Sequence, residues 1–189
     1  MYIICGLGNP GKQYENTRHN IGFRTLDVLS ERLSAPIKSL KFKALIGEGR
    51  IGTEKVVLVK PQTYMNLSGE SLREIVKFYK VEPEHLIVIY DDIDLPTGQL
   101  RIKPSGSSGT HNGMKSVIYQ LQFDNFPRIR VGLGKDPNMP LDAFVISAPS
   151  DEEQKLLTAA ISNAADAAVM IIEDGINPAM NKYNTKNAD

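Results

Sequence analysis

The spacing of apolar and polar positions changes several times along the chain, and each change marks an element. Residues 2–7 form an apolar, β-favouring run that ends in Gly6-Leu7-Gly8-Asn9-Pro10-Gly11, which predicts a buried first strand running into a tight turn. From Asn20 the period becomes helical, with Leu26, Leu29 and Leu33 on one face and a stop near Ser34-Ala35-Pro36. Residues 43–50 and 55–60 are short runs on either side of Ile51-Gly52-Thr53-Glu54, the pattern of a hairpin. A polar loop at residues 60–66 leads to a helix carrying Leu72, Ile75, Val76 and Tyr79 on one side. Leu86-Ile87-Val88-Ile89-Tyr90 is unbroken and β-branched, so it belongs in the centre of a sheet. It delivers Asp91-Asp92-Ile93-Asp94 to its C-terminal end, the edge at which open α/β sheets build their sites.

Residues 99–103 and 128–133 predict two further strands, with a helix between them marked by Met114, Val117, Ile118 and Leu121. Ser150-Asp151-Glu152-Glu153 is a capping box. Beyond it Leu157, Ala160, Ile161, Ala164, Ala168 and Ile171 trace the face of a long last helix, and the Asn-rich end after Asn177 predicts a short helix that then frays. Strands alternating with helices give an α/β fold, and the hairpin makes the twisted sheet mixed rather than purely parallel, flanked by helices. With no repeat and no linker, residues 1–189 read as a single domain.

Composition narrows the picture. No apolar run approaches the roughly 18 residues of a membrane span, and the opening residues lack the basic region and cleavage site of a signal peptide, so a cytoplasmic protein is expected. Cys5, the one cysteine, lies inside an apolar stretch and predicts a buried, inert thiol. Twenty-two basic residues balance twenty-two acidic ones, which argues against a bulk polyanion binder. The charge is nevertheless segregated: residues 98–135 hold Arg101, Lys103, Lys115, Arg128, Arg130 and Lys135 against Asp124 alone. That is compatible with a local surface facing phosphate, and equally with a solvated face.

Candidate chemistry centres on residues 14–22. Only histidine has an ordinary pKa, about 6.5, suited to taking and returning a proton near neutrality, and His19 stands where a loop becomes a helix. Two other chemistries find little support. Gly6-x-Gly8-x-x-Gly11 satisfies a dinucleotide-binding pattern literally, but nine residues without a helical face follow Gly11, no acid ends a second strand, and Pro10 removes an N–H. A metal site would need Cys-x-x-Cys or His-Glu-x-x-His, and neither is present; the three histidines stand far apart, His85 reading as a surface residue ahead of a strand. No cofactor and no metal are expected.

Six stretches in order then resemble bacterial peptidyl-tRNA hydrolases. They are Gly6-Leu7-Gly8-Asn9-Pro10-Gly11, Tyr14-x-x-Thr17-Arg18-His19-Asn20-x-Gly22, Pro61-x-Thr63-Tyr64-Met65-Asn66-x-Ser68-Gly69, Asp91-Asp92-x-Asp94-Leu95-Pro96-x-Gly98, His111-Asn112-Gly113 and Arg128-x-Arg130-x-Gly132-x-Gly134. The resemblance implies hydrolysis of the ester between a peptide and the 3′-terminal ribose of tRNA, by a monomer that takes peptidyl-tRNA as its partner. It implies His19 as catalytic base, Asp91 as the carboxylate that orients it and Asn9 as a catalytic-site amide. Tyr14, Tyr64, Met65, Asn66, His111 and Asn112 become substrate contacts, and Lys103 and Arg130 a clamp on the tRNA 5′-phosphate.

The residues suit those roles physically, because ester hydrolysis needs an oriented base and amide donors for the oxyanion. Rival readings stand beside them: Asn66 also fits a helix N-cap, Asn9 and Asn112 fit turn positions, Asp91 fits a turn with Asp92 and Asp94, and Lys103 and Arg130 fit surface charges. A non-catalytic RNA-binding relative on the same scaffold is the alternative function. One departure from the family's Gly-Gly-His-Asn-Gly is Thr110 in Gly109-Thr110-His111-Asn112-Gly113, which predicts a stiffer loop.

Overall fold

A computed structural model describes residues 1–184, so the expected fraying of the chain's end lies outside the described residues. Its seven strands are β1 (Tyr2–Gly6), β2 (Ser39–Lys41), β3 (Ala44–Ile51), β4 (Glu54–Pro61), β5 (Leu86–Asp92), β6 (Leu100–Lys103) and β7 (Arg128–Gly132). They form one sheet in the order β2-β3-β4-β1-β5-β7-β6. β1 pairs in parallel with β4 and β5, and β5 with β7, while the β3–β4 hairpin and β6 run antiparallel to their neighbours. The sheet is mixed, as the hairpin predicted. β5 is buried along its whole length but sits one place from the middle, which β1 occupies.

Two-residue periodicity divides the core into two layers. Ile4, Ile87 and Ile89 pack with α1 (Ile21–Arg32), α5 (Asp151–Asp174) and α6 (Ile176–Tyr183). Ile3, Cys5, Leu86 and Val88 pack with α2 (Ser68–Tyr79) and α3 (Asn112–Leu121). Cys5 is fully buried there, and burial pushes its thiol pKa up. α5 is long and apolar enough to cross a membrane, but its apolar stripe from Leu157 to Ile171 belongs to the first core layer. Its capping box is formed: Ser150 Oγ accepts the Glu153 N–H at 3.2 Å and Glu153 Oε2 accepts the Ser150 N–H at 2.7 Å.

Two elements were not predicted from the pattern. β2 is an exposed three-residue edge strand, and α4 (Leu141–Val145) is a five-residue helix whose buried residue is Phe144. At the other edge, Ile129, Val131, Leu100 and Ile102 enter the α1–α5 layer. Alternation then places Arg128 and Arg130 of β7, with Arg101 and Lys103 of β6, on the opposite face. Four of the six basic residues of 98–135 thus share one face of the sheet beside β5.

The start of α1 touches the sheet at Gly22. A Cβ there would stand 2.5 Å from both the nitrogen and the oxygen of Leu7 and from the oxygen of Ile89, all backbone atoms that cannot give way. This close approach brings the turn carrying His19 down onto the C-terminal edge of β1 and β5. Gly22→Ala is expected to destabilise the protein by about 2 kcal/mol or more, read as a lower urea midpoint with an unchanged m-value.

Candidate active site

His19 lies in a 3₁₀ turn, Arg18–Asn20, that runs directly into α1. Its Nδ1 is 2.8 Å from Oδ2 of Asp91, near the C-terminal end of β5. The second carboxylate oxygen meets Nε2 of His111 at 2.9 Å. His111 is also the N-cap of α3, its Nδ1 accepting the Met114 N–H at 3.1 Å. That cap fixes the tautomer: Nδ1 bears the lone pair, so Nε2–H donates to Asp91. With His19 Nδ1–H donating to the other oxygen, the His19 lone pair is on Nε2.

Asp91 is 3% exposed. Burial alone would raise its pKa, but the charges and hydrogen bonds of His19 and His111 hold the carboxyl well below the usual carboxylate range. For His19, burial alone would lower the pKa, and the Asp91 charge and hydrogen bond outweigh it and raise the value above the ordinary one. The carboxylate therefore orients the imidazole and favours the proton it gains.

A second group lies next to this pair. Asn20 grips the Asn9 backbone on both sides, accepting its N–H at 2.8 Å and donating to its carbonyl at 2.9 Å. The Asn9 Oδ1 accepts the Met65 N–H at 2.8 Å, which leaves its NH₂ as the donor that faces other groups. Tyr64, just before, is held at φ 65° and ψ 158°, a backbone region normally left to glycine. Met65 is buried in the α2–α3 layer. The N-cap of α2 is Leu67, so Asn66 is not a helix cap; it is exposed in the 3₁₀ turn Met65–Leu67.

A cavity of about 430 Å³ opens beside Asp91. It gathers His19, Asp91, His111, Asn112, Lys103 and Arg130, with Leu141 and Val145 of α4 as an apolar wall. Asn9, Tyr14, Tyr64, Met65 and Asn66 are not among its lining residues. Of these, Asn9 and Met65 form the second group, while Tyr14 is half-buried in the 3₁₀ turn Lys12–Tyr14. Both ring nitrogens of His111 are already engaged, so what it offers a ligand is its ring edge. Thr110 carries no positive φ; the left-handed position of the loop falls on Gly109 at φ 55°.

His19, Asp91 and His111 place one donor atom each within 4.8 Å of one another, the company a metal ion needs. The cap opposes ligation. A metal on His111 Nε2 would drive the ring proton to Nδ1, against the Met114 N–H. The glycine-rich turn after β1 is followed by short 3₁₀ turns and not by a helix N-terminus, so the dinucleotide pattern lacks its phosphate cradle.

A carboxylate-paired imidazole beside an open cavity, at the C-terminal edge of the parallel strands of a mixed sheet, is the kind of site an α/β hydrolytic enzyme needs. Comparison with known proteins makes the class particular. Residues 3–189 match the family model for peptidyl-tRNA hydrolase, and the chain belongs to that family. It is 57% identical over 184 residues to the peptidyl-tRNA hydrolase of Alkaliphilus metalliredigens, covering 97% of this chain and 100% of that protein. The enzyme of Caldanaerobacter subterraneus is 53% identical with the same coverage. A crystal structure of peptidyl-tRNA hydrolase from Acinetobacter baumannii, 34% identical, superposes with a TM-score of 0.93 over 98% of this chain and 95% of that one.

Several residues that shape the site escaped the sequence reading. Asn20 and Asp92 stand inside the motifs of the family resemblance, but no role was assigned to either. Arg18, 7% exposed, holds Ser147 Oγ at 2.5 Å and Glu153 at 2.7 Å with its guanidinium 4.1 Å from the Phe144 ring, and so ties the His19 turn to α4 and α5. Its partners lie more than 120 positions away, beyond any local pattern.

Asp91→Asn removes the charge that opposes burial at His19, and burial disfavours the cation. The His19 pKa, above about 6.5 in the parent protein, is expected to fall below that value in the variant, as followed by ring-proton NMR titration. A pKa that stays raised would mean that Asp91 is not its source.

Proposed function

We propose that the protein hydrolyses the ester joining a peptide to the 3′-terminal ribose of tRNA, releasing peptide and free tRNA in the cytoplasm, with His19 as general base. The observation that carries this reading is the 2.8 Å bond between His19 Nδ1 and Asp91 in a member of the peptidyl-tRNA hydrolase family. With Nδ1 held, Nε2 takes a proton from water as its oxygen attacks the ester carbonyl. The tetrahedral intermediate then breaks its bond to the ribose oxygen, which receives the proton from Nε2. Asp91 steadies the imidazolium between the two transfers.

His111 is a positioning residue in this scheme. By donating to the second oxygen it fixes the carboxylate plane and divides its charge between two rings. The Asn9 NH₂, aimed by Met65 and Asn20, is the donor we assign to the oxyanion, and Asn112, which lines the cavity with His19, is assigned to the substrate. Tyr14, Tyr64, Met65 and Asn66 belong to the peptide side, and Lys103 and Arg130, on the basic face, to the tRNA 5′-phosphate.

The test is release of the blocked amino acid from N-acetyl-aminoacyl-tRNA without added metal. The parent protein should cleave it and spare unblocked aminoacyl-tRNA, whose ammonium leaves the peptide-side polar groups mispaired. His19→Ala should lose about 10²- to 10⁴-fold in kcat while still binding tRNA. Binding without release by the parent protein would make it an RNA-binding relative instead. For the clamp, replacing Lys103 or Arg130 with Gln should flatten the dependence of log(1/KM) on log[salt] by about one unit, and an unchanged slope in both variants would remove it.

A further inference from the structure

The Arg130 assigned to phosphate already holds an anion. Its Nη1 donates to Asp92 Oδ2 at 2.8 Å. The other oxygen of Asp92 accepts the Asp94 N–H at 2.8 Å, which fixes the carboxylate in place, and Asp92 is 9% exposed. Only Nη1 of the guanidinium is engaged by Asp92, so its planar fork keeps donors beyond that one bond. Both residues line the cavity. The neighbouring cation on the same strand, Arg128, is committed to the carbonyls of Ser107 at 3.1 Å and Asp124 at 2.6 Å. Asp92 is thus a resident carboxylate at the position where a phosphate oxygen would bind Arg130.

We propose that Asp92 is a specificity-determining residue: it stands in for phosphate on Arg130 and yields only to a terminal phosphate monoester, so that the site reads the 5′ end of tRNA rather than its backbone. The inference rests on the assignment of Arg130 to the 5′-phosphate and deepens it. An internal phosphodiester carries one negative charge, no more than the Asp92 carboxylate, which has the further advantage of being tethered at high effective concentration. A diester gains nothing by exchange. A phosphate monoester carries about −1.5 to −2 at neutral pH and three acceptor oxygens, so it outcompetes the singly charged carboxylate on the guanidinium. Without Asp92, Arg130 would accept any phosphate along an RNA strand.

Asp92→Asn tests this, because the amide oxygen can still accept the Asp94 N–H while the NH₂ that replaces Oδ2 neither accepts from Arg130 nor balances its charge. KM would be measured for N-acetyl-aminoacyl-tRNA bearing a 5′-monophosphate and for the same substrate dephosphorylated to a 5′-hydroxyl. The parent protein should favour the monophosphate. In Asp92→Asn that preference should shrink by about three- to tenfold, chiefly through a lower KM for the 5′-hydroxyl substrate, and the salt slope for that substrate should steepen by up to about one unit. In an Arg130→Gln background, Asp92→Asn should change the preference no further.

A preference that is unchanged or larger in Asp92→Asn would overturn the proposal, as would an effect that persists without Arg130. General damage would raise both KM values and leave their ratio alone, which also counts against it. Equal KM values for the two substrates in the parent protein would instead sink the phosphate clamp itself, a result separate from any behaviour of the Asp92 variant.

Discussion

A buried carboxylate must be paired or it will not stay charged, and the site is organised around that requirement at Asp91. The strand that carries it is covered on both faces, so its partners have to arrive from both helical layers. His19 comes from the start of α1 and His111 from the start of α3, with ring centroids 5.2 Å apart. Each imidazole reaches the carboxylate because its helix begins at the sheet edge. The close contact at Gly22 lowers one helix start. At the other, a Cβ on Gly113 would stand 2.5 Å from the Met65 sulfur. The ion cluster and the packing of the two layers therefore depend on each other.

Much of this was legible in the sequence where the signal is local. The unbroken apolar run of β5 and its acidic end, the β3–β4 hairpin and the capping box of α5 are all set by neighbours in the chain. β2 was not legible, because its residues Ser39–Lys41 are all exposed and so show no alternation. α4 escaped because five residues are too few for a period, and the residue that fixes it, Phe144, is held by a cation from elsewhere in the chain.

The site follows the same division. Scarcity of histidine and six motifs in register pointed to His19 and Asp91 together. Which nitrogen of His111 bears the proton was beyond reach, since that is decided by a helix cap visible only in three dimensions. Asn20 reads as a helix-start residue in sequence, and its clamp on Asn9 depends on the turn after β1 folding back over α1.

Asp91 and Asp92 show why adjacency in sequence says little about role. Strand alternation turns consecutive side chains to opposite faces. Asp91 follows Ile87 and Ile89 toward the α1 side, where it meets His19, while Asp92 shares the face of Tyr90 and Arg130. Two identical carboxylates one residue apart thereby acquire unlike partners: titratable imidazoles for one, a permanently charged guanidinium for the other. The first raises the proton affinity of His19, which is what the proposed reaction asks of it. The second has no such effect, because guanidinium keeps its charge across the working range, and can act only by occupying or vacating the cation. In the proposed reaction the 3′ ester and the 5′-phosphate of tRNA are met by the partners of two neighbouring residues of β5, His19 on Asp91 and Arg130 on Asp92, so a single buried strand links chemistry and recognition.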